Sequence, residues 1–304
     1  MDFLRLLEQI RVPGVTEFMQ IITYLGDEIA FLAVALVIFW CVDKQKGYYV
    51  MTVGFIGTIA NQFMKLWFRI PRPWVQDPSF TIVEQAREGA GGYSFPSGHT
   101  QSAVGTFGSI ARVTGNKILR IVCIVLAVIV PFSRMYLGVH TPLDVSVAAI
   151  MGVVLIFLMK PLVLDHDGKY FPYVIGAMAL ISIGYLCFTQ FYPFPADVDA
   201  ENLASGAKNA YTLTGCVLGV FVVYPLDRKW IRFPVHAVWW AQILKVVIGL
   251  ALVLAVKSVL TAPLAALFGE LPGRMIRYFL VVVTAGGLWP LSFRFFQRIG
   301  VKNK

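Results

Sequence analysis

Three short stretches gather the residue types that could handle a phosphoryl group. Lys65, Arg72 and Pro73 close one apolar run, Pro96-Ser97-Gly98-His99 opens the next, and Ser133-Arg134 is followed by His140 and Asp144. Lys65, Arg72 and Arg134 are three cations, which repel one another unless an anion sits between them. A phosphoryl group offers three oxygens to share, and guanidinium meets it with paired planar donors, ammonium with a point charge. Ser97-Gly98 stands at a helix start, where free N–H groups and the positive dipole end attract an anion and glycine lets backbone approach closely. Two of the four histidines, His99 and His140, belong to these stretches. Imidazole titrates near neutrality and can be a nucleophile or a proton donor, so it would turn a binding site into a reactive one. Asp144, one helical turn after His140, could hold that ring in one tautomer.

Each residue also has a plainer role. Thr141-Pro142-Leu143-Asp144 reads as a helix start, with Thr as N-cap, Pro in the first turn and an acid at the third position. Ser97 alone is an ordinary N-cap, and Arg134 alone could snorkel to the interface. Co-location on one membrane face is what favours chemistry.

The elements that must position these residues follow from composition. The chain has 304 residues, 58% of them apolar and only 14% charged, against about 25% charged in an ordinary globular domain. So few charges cannot cover a water-facing surface, which makes this a membrane protein. The net charge of +9 does not imply nucleic acid, because the basic residues fall in short clusters between apolar runs rather than on one exposed face. Cys41, Cys123, Cys187 and Cys216 lie in or beside apolar runs without metal-ligand spacing and read as small core residues.

A helix needs roughly 20 apolar residues to cross the hydrocarbon core, and lipid leaves no partner for unpaired backbone. The expected fold is all-α, a polytopic transmembrane bundle of nine spans: 29–42 (short, with Asp27 as N-cap), 48–68, 98–115, 118–137, 143–163, 172–190, 209–226, 235–258 and 275–293. Before them, Phe3, Leu6, Leu7 and Ile10 share one face of an amphipathic helix ended by Pro13-Gly14. That helix would lie on the bilayer surface or pack against the protein. The organisation is an interfacial segment 1–26, a six-span core 27–190 and a three-span extension 191–304. With the loop 43–47 cytoplasmic, fourteen of the 26 basic residues fall on the cytoplasmic side and eight outside. The positive-inside rule then places 69–97, 138–142 and 191–208 outside, the C-terminus in the cytoplasm, and all three stretches in one outer layer.

In order, residue type and spacing, Lys65 to Arg72-Pro73, Pro96-Ser97-Gly98-His99 and Ser133-Arg134 to His140 and Asp144 resemble the signature of the type-2 phosphatidic acid phosphatase (lipid phosphate phosphatase) superfamily. The resemblance covers the six-helix core; residues 191–304 receive no function from it. It implies that His140 forms a phosphohistidine with Asp144 orienting it. His99 would protonate the leaving oxygen and then activate water. Lys65, Arg72, Ser97, Gly98 and Arg134 would hold the phosphoryl oxygens. No cofactor or metal is implied, since fixed cations supply the charge a metal would bring.

A site at headgroup level suits an amphiphile, so the expected substrate is an outer-leaflet lipid phosphate or diphosphate and the expected partners are membrane lipids. A soluble sugar phosphate, as in the similarly laid-out glucose-6-phosphatase branch, is an alternative, as is a lipid phosphotransferase. A lipid-phosphate transporter is a further one, supported by Lys245 about ten residues into the eighth span, although snorkelling beneath Trp239 and Trp240 also accounts for it. The expected location is a bacterial inner membrane with the site periplasmic. His166 between Asp165 and Asp167 reads as a solvated loop, His236 as part of an aromatic belt, and Gly286-Gly287 as a close helix contact.

Overall fold

A computed structural model describes residues 1–165 and 168–299, and every regular element among them is helical. His166, Asp167 and the last five residues lie outside the described residues. Helices α1 (Asp2–Gln9) and α2 (Pro13–Thr23) lead through a turn at Tyr24–Gly26 into α3 (Glu28–Cys41) and α4 (Lys44–Phe68). The one-turn α5 (Pro73–Gln76) lies in the long loop before α6 (Gly98–Val113), α7 (Lys117–Tyr136) and α8 (Pro142–Val163). Then come α9 (Phe171–Phe191), α10 (Ala200–Leu226), α11 (Trp239–Val259), α12 (Thr261–Phe268), α13 (Glu270–Val283) and α14 (Phe293–Arg298).

All nine predicted spans fall on helices. Among the described residues six helical segments are long and apolar enough to cross a membrane, or seven if α2 and α3, bent by 55° at their junction, count as one. α4 and α6 are not among these, for a structural reason. α6 has only 16 residues and buries Thr100, Gln101, Ser102, Thr106 and Ser109, while α4 buries Asn61 and Lys65. Their polarity faces protein rather than lipid.

Four predicted boundaries are corrected. Pro13-Gly14 starts α2 rather than ending structure, because proline at the first helical position gives up an N–H that would be unpaired anyway. The loop 43–47 is mostly helix: Asp43 Oδ1 accepts the Lys46 N–H at 3.0 Å, capping α4. The span predicted from 235 becomes helical only at Trp239, with Val238 in extended backbone as its N-cap. The last span is interrupted by a π-turn over Thr284–Leu288 and a 3-10 turn over Trp289–Ser292, around Gly286, Gly287 and Pro290. A Cβ on Gly286 would come within 2.7 Å of Val223, so the expected close helix contact is present.

Two compact units form, and neither is one continuous stretch: residues 1–32, 49–161 and 193–206 in the first, 33–48, 162–192 and 207 onward in the second. In the first, α7 packs against α1, α2 and α6, burying Ala103, Phe107, Cys123 and Val130. The opposite face of α7 presents Ile118, Ile121, Val125 and Val128 outward, as a lipid-facing helix should. Of the amphipathic face predicted for α1, Leu7 is buried together with Leu4, while Phe3, Leu6 and Ile10 are exposed. Arg11 ties this N-terminal segment down by donating to Tyr136 O at 2.9 Å and Thr81 O at 2.7 Å.

In the second unit Lys44 pairs with Asp227 at 2.9 Å and lies 3.6 Å from the Phe233 ring centroid. Trp40 Nε1 donates to Ala285 O at 2.8 Å. Lys245 is wholly buried; its Nζ donates to Val235 O at 2.9 Å and sits 4.4 Å from the Phe293 ring centroid. It reaches back toward the start of α11, as snorkelling requires, but ends on protein. That satisfied ammonium removes the main support for a transport pathway. His236 and Trp239 are exposed near the start of α11. The four cysteines are free, Cys123 and Cys216 buried and Cys187 exposed.

Candidate active site

All eight site residues expected from the sequence lie in the first unit. The second and third stretches are joined by backbone: the Ser97 N–H donates to Asp144 O at 3.1 Å. Ser97 caps α6, its hydroxyl oxygen accepting from the Thr100 N–H at 3.3 Å. The cap leaves the Ser97 hydroxyl proton free to donate, and the first N–H groups of the helix, at Gly98 and His99, have no acceptor within it. A Cβ at Gly98 would sit 3.8 Å from Asn61 Oδ1, an ordinary contact, so any steric demand for glycine comes from a ligand rather than from the fold.

His140 sits on the turn between α7 and α8. Gly138 makes that turn with φ +84°, and a Cβ there would meet Arg11 at 2.7 Å and the Phe80 ring at 3.0 Å. Both roles expected for Asp144 coexist. Its Oδ2 accepts from the Thr141 N–H at 2.8 Å while its own N–H donates to Thr141 Oγ1 at 3.3 Å, a reciprocal capping box. The same Oδ2 accepts from Ser94 Oγ at 2.6 Å and lies 3.4 Å from His140 Nδ1. An ionised carboxylate can only accept, so this contact favours the proton on Nδ1 and leaves Nε2 with a free lone pair.

Arg72 is fixed by Gly91 O at 2.8 Å, Val139 O at 3.0 Å and Gly92 O at 3.1 Å. Its Nη1 stands 2.9 Å from Nε2 and 3.5 Å from Nδ1 of His140, which puts it across the ring rather than in line with either lone pair. Lys65 Nζ donates to Tyr93 O. Arg134 is 1% exposed; Nη1 donates to Thr23 Oγ1 at 2.8 Å, and Nε and Nη2 have no partner. Buried guanidinium donors without acceptors are costly, and a bound anion would satisfy them.

Burial, then the charges of Arg72, Arg134 and Lys65 and the nearby His99, hold the His140 imidazole well below its usual range. The nucleophile candidate is therefore neutral at neutral pH. Burial also lowers the Arg72 guanidinium to about 10, with Asp144 opposing the shift, so it stays charged. Among the described residues no cluster of three or more His, Cys, Asp or Glu could hold a metal ion.

Two neighbours were not expected from the sequence. Asp27, anticipated only as a helix cap, places Oδ1 2.7 Å from His99 Nε2. Asn61, one turn before Lys65 on α4, is 1% exposed with both amide atoms unpartnered beside Gly98. Neither stands at a motif spacing; only the burial of a lone Asn on an apolar helix could have pointed to Asn61. A cavity of about 860 Å³, lined in part by Phe68, Arg72, Trp74, Gly91, Gly92 and Tyr93, opens beside Arg72. Phe68, which lines it, is exposed at the end of α4, and Phe63 and Trp67 are exposed on the same helix.

Residues 45–167 match the PAP2 superfamily, and residues 211–302 match the transmembrane extension of PAP2 superfamily phosphatases. Phosphatidylglycerophosphatase B of Bacillus subtilis is 30% identical over 164 residues, 50% of this chain and 76% of that protein. The chain belongs to the PAP2 superfamily. It is an integral membrane phosphatase, a phosphoric ester hydrolase. Other relatives include undecaprenyl-diphosphatase BcrC of Bacillus subtilis, 28% identical over 42% of this chain and 64% of the relative. Sphingosine-1-phosphate phosphatase 1 of Rattus norvegicus is 28% identical over 90% of this chain and 70% of the relative. No solved structure matches the chain.

Proposed function

We propose that this PAP2 member is a lipid phosphatase that hydrolyses a phosphate monoester or diphosphate through a phosphohistidine, without a metal ion. The observation that carries the proposal is the neutral, buried His140, oriented by Asp144 and ringed by Lys65, Arg72 and an Arg134 with unsatisfied donors. His140 Nε2 attacks phosphorus and the bond to the leaving oxygen breaks. His99 gives that oxygen its proton. Water then attacks the phosphohistidine, His99 takes a proton from it, and phosphate leaves. Asp144 stabilises the positive imidazole ring of the intermediate, and Asp27 holds His99 in position.

The three cations, with the Ser97 hydroxyl and the Gly98 N–H, hold the equatorial oxygens and supply the charge that a metal would otherwise bring. A lipid substrate fits the exposed aromatic side chains at the end of α4, which offer an apolar approach beside the cavity that meets Arg72. The relatives named for lipid phosphates and a prenyl diphosphate support the same class. The excess of basic residues on the opposite side supports a site on the outer face of an inner (plasma) membrane, periplasmic if the source is bacterial, with a cytoplasmic C-terminus.

The test is phosphate release by the purified chain in detergent across long-chain, truncated and soluble phosphates, with His140→Ala as control. Faster turnover of long-chain substrates, complete loss in the variant and indifference to chelator are expected. Full activity of His140→Ala, or loss on adding chelator, would overturn the mechanism. Preference for a soluble sugar phosphate would overturn the substrate class.

A further inference from the structure

The second unit gathers positive charge of its own, from residues outside the three motif stretches. α11 and α13 pack against each other, and the α12 turn joins them. Lys257 lies near the end of α11, and Arg274 and Arg277 lie near the start of α13. All three surround one ring, that of Tyr278: Lys257 Nζ is 6.0 Å, Arg274 Cζ 5.5 Å and Arg277 Cζ 5.2 Å from its centroid.

Their hydrogen-bond partners are neutral. Arg274 Nε donates to Thr212 Oγ1 at 2.7 Å and Arg277 Nη1 to Thr261 Oγ1. Arg277 is 7% exposed and its Nε has no partner. Among the described residues no carboxylate pairs with any of the three; Glu270, close in sequence, is 3.5 Å from Lys208 instead. A tyrosine ring offers a negative face but no net charge, so it cannot neutralise three cations. An anion with several oxygens can.

The cluster lies where two candidate spans turn back, the level at which lipid headgroups meet a membrane protein. Leu254, Val259 and Leu267 on α11 and α12 are exposed and offer apolar surface for acyl chains. We infer that Lys257, Arg274 and Arg277 form a binding site for the phosphodiester headgroup of an anionic membrane lipid. The site is separate from the phosphatase chemistry and stands whether or not that chemistry is correct. Its occupant is a bound lipid rather than a substrate, since among the described residues no histidine, cysteine or carboxylate is paired with the three cations.

The experiment is native mass spectrometry of the full chain in detergent, titrated with phosphatidylglycerol, phosphatidylcholine or inorganic phosphate. Lys257→Gln and Arg274→Gln are each expected to weaken phosphatidylglycerol binding about fivefold, the worth of one interfacial basic residue. Both should keep wild-type activity on a soluble phosphate ester, which shows that the variants fold. Weak phosphatidylcholine binding, the same in all proteins, is expected, as is failure of millimolar inorganic phosphate to displace phosphatidylglycerol. Unchanged phosphatidylglycerol binding in both variants, or equal retention of phosphatidylcholine, would overturn the site. Displacement by inorganic phosphate would overturn the lipid as its occupant.

Discussion

Arg134→Met separates a binding role from a structural one, because the two roles move stability in opposite directions. Arg134 is buried with Nε and Nη2 unpartnered and one hydrogen bond to Thr23. Two buried unsatisfied donors cost about 2–6 kcal/mol together, and the charged hydrogen bond to Thr23 returns about 1.5–3 kcal/mol. Methionine, apolar and similar in reach, removes both contributions. The ligand-free variant is therefore expected to melt within about 1 kcal/mol of the wild type at the smaller penalty, and higher if the larger penalty applies. Catalysis should suffer: loss of a guanidinium that stabilises phosphoryl transfer costs ~10³–10⁵-fold. Orthovanadate, a phosphate mimic, at a hundred times its dissociation constant should stabilise the wild type by about 2.7 kcal/mol. The variant should lose most of that gain. Thermal unfolding in detergent with and without vanadate, beside phosphate release, measures all three quantities. A variant that melts several degrees lower yet keeps the full vanadate shift would refute the reasoning, because Arg134 would then be a structural residue and not a ligand of the anion.

Other outcomes follow from the same geometry. His99→Ala should accumulate an acid-labile phosphoenzyme from a substrate with a good leaving group, seen by labelling; failure to trap label while turnover persists would remove His99 from the second step. Asp27→Asn should lower kcat about tenfold, less than the ~10²–10⁴-fold that a general acid or base itself contributes, and change the shape of the pH profile; a profile unchanged in shape would make Asp27 a structural cap only. The His140 imidazole is depressed in the folded protein, while the unfolded chain protonates near the ordinary value of about 6.5. Its contribution to stability is therefore complete above that pH and lost as pH falls below it toward the folded value. His140→Gln should flatten the fall in melting temperature between pH 6.5 and the acid end, within about the first pH units below 6.5. Gly138→Ala should destabilise by about 1–2 kcal/mol from the positive φ alone and reduce turnover by displacing the His140 turn; wild-type activity in that variant would show that the turn tolerates movement.

The helices were largely legible because long apolar runs in lipid leave few other conformations. The exceptions have specific causes. Proline has opposite meanings at a helix start and in its interior, so Pro13 suggests an ending in the sequence where α2 in fact begins. The last span looks continuous in the sequence because its apolar content hides the irregular turns around Gly286, Gly287 and Pro290. Asp144 carried two readings in the sequence, and the structure realises both, since the carboxylate that caps α8 also faces His140.

Residue type and spacing alone singled out a candidate phosphoryl-handling set and determined that membrane helices carry it, because charge, titration and hydropathy belong to the side chains themselves. Tertiary structure alone decided which groups those residues meet. Asp27 reaches His99, Thr23 holds Arg134, and Ser94 shares Asp144 with His140, across separations that no local pattern encodes. Such contacts depend on how helices pack and where a turn such as that at Gly138 directs the chain, and one-dimensional periodicity carries neither.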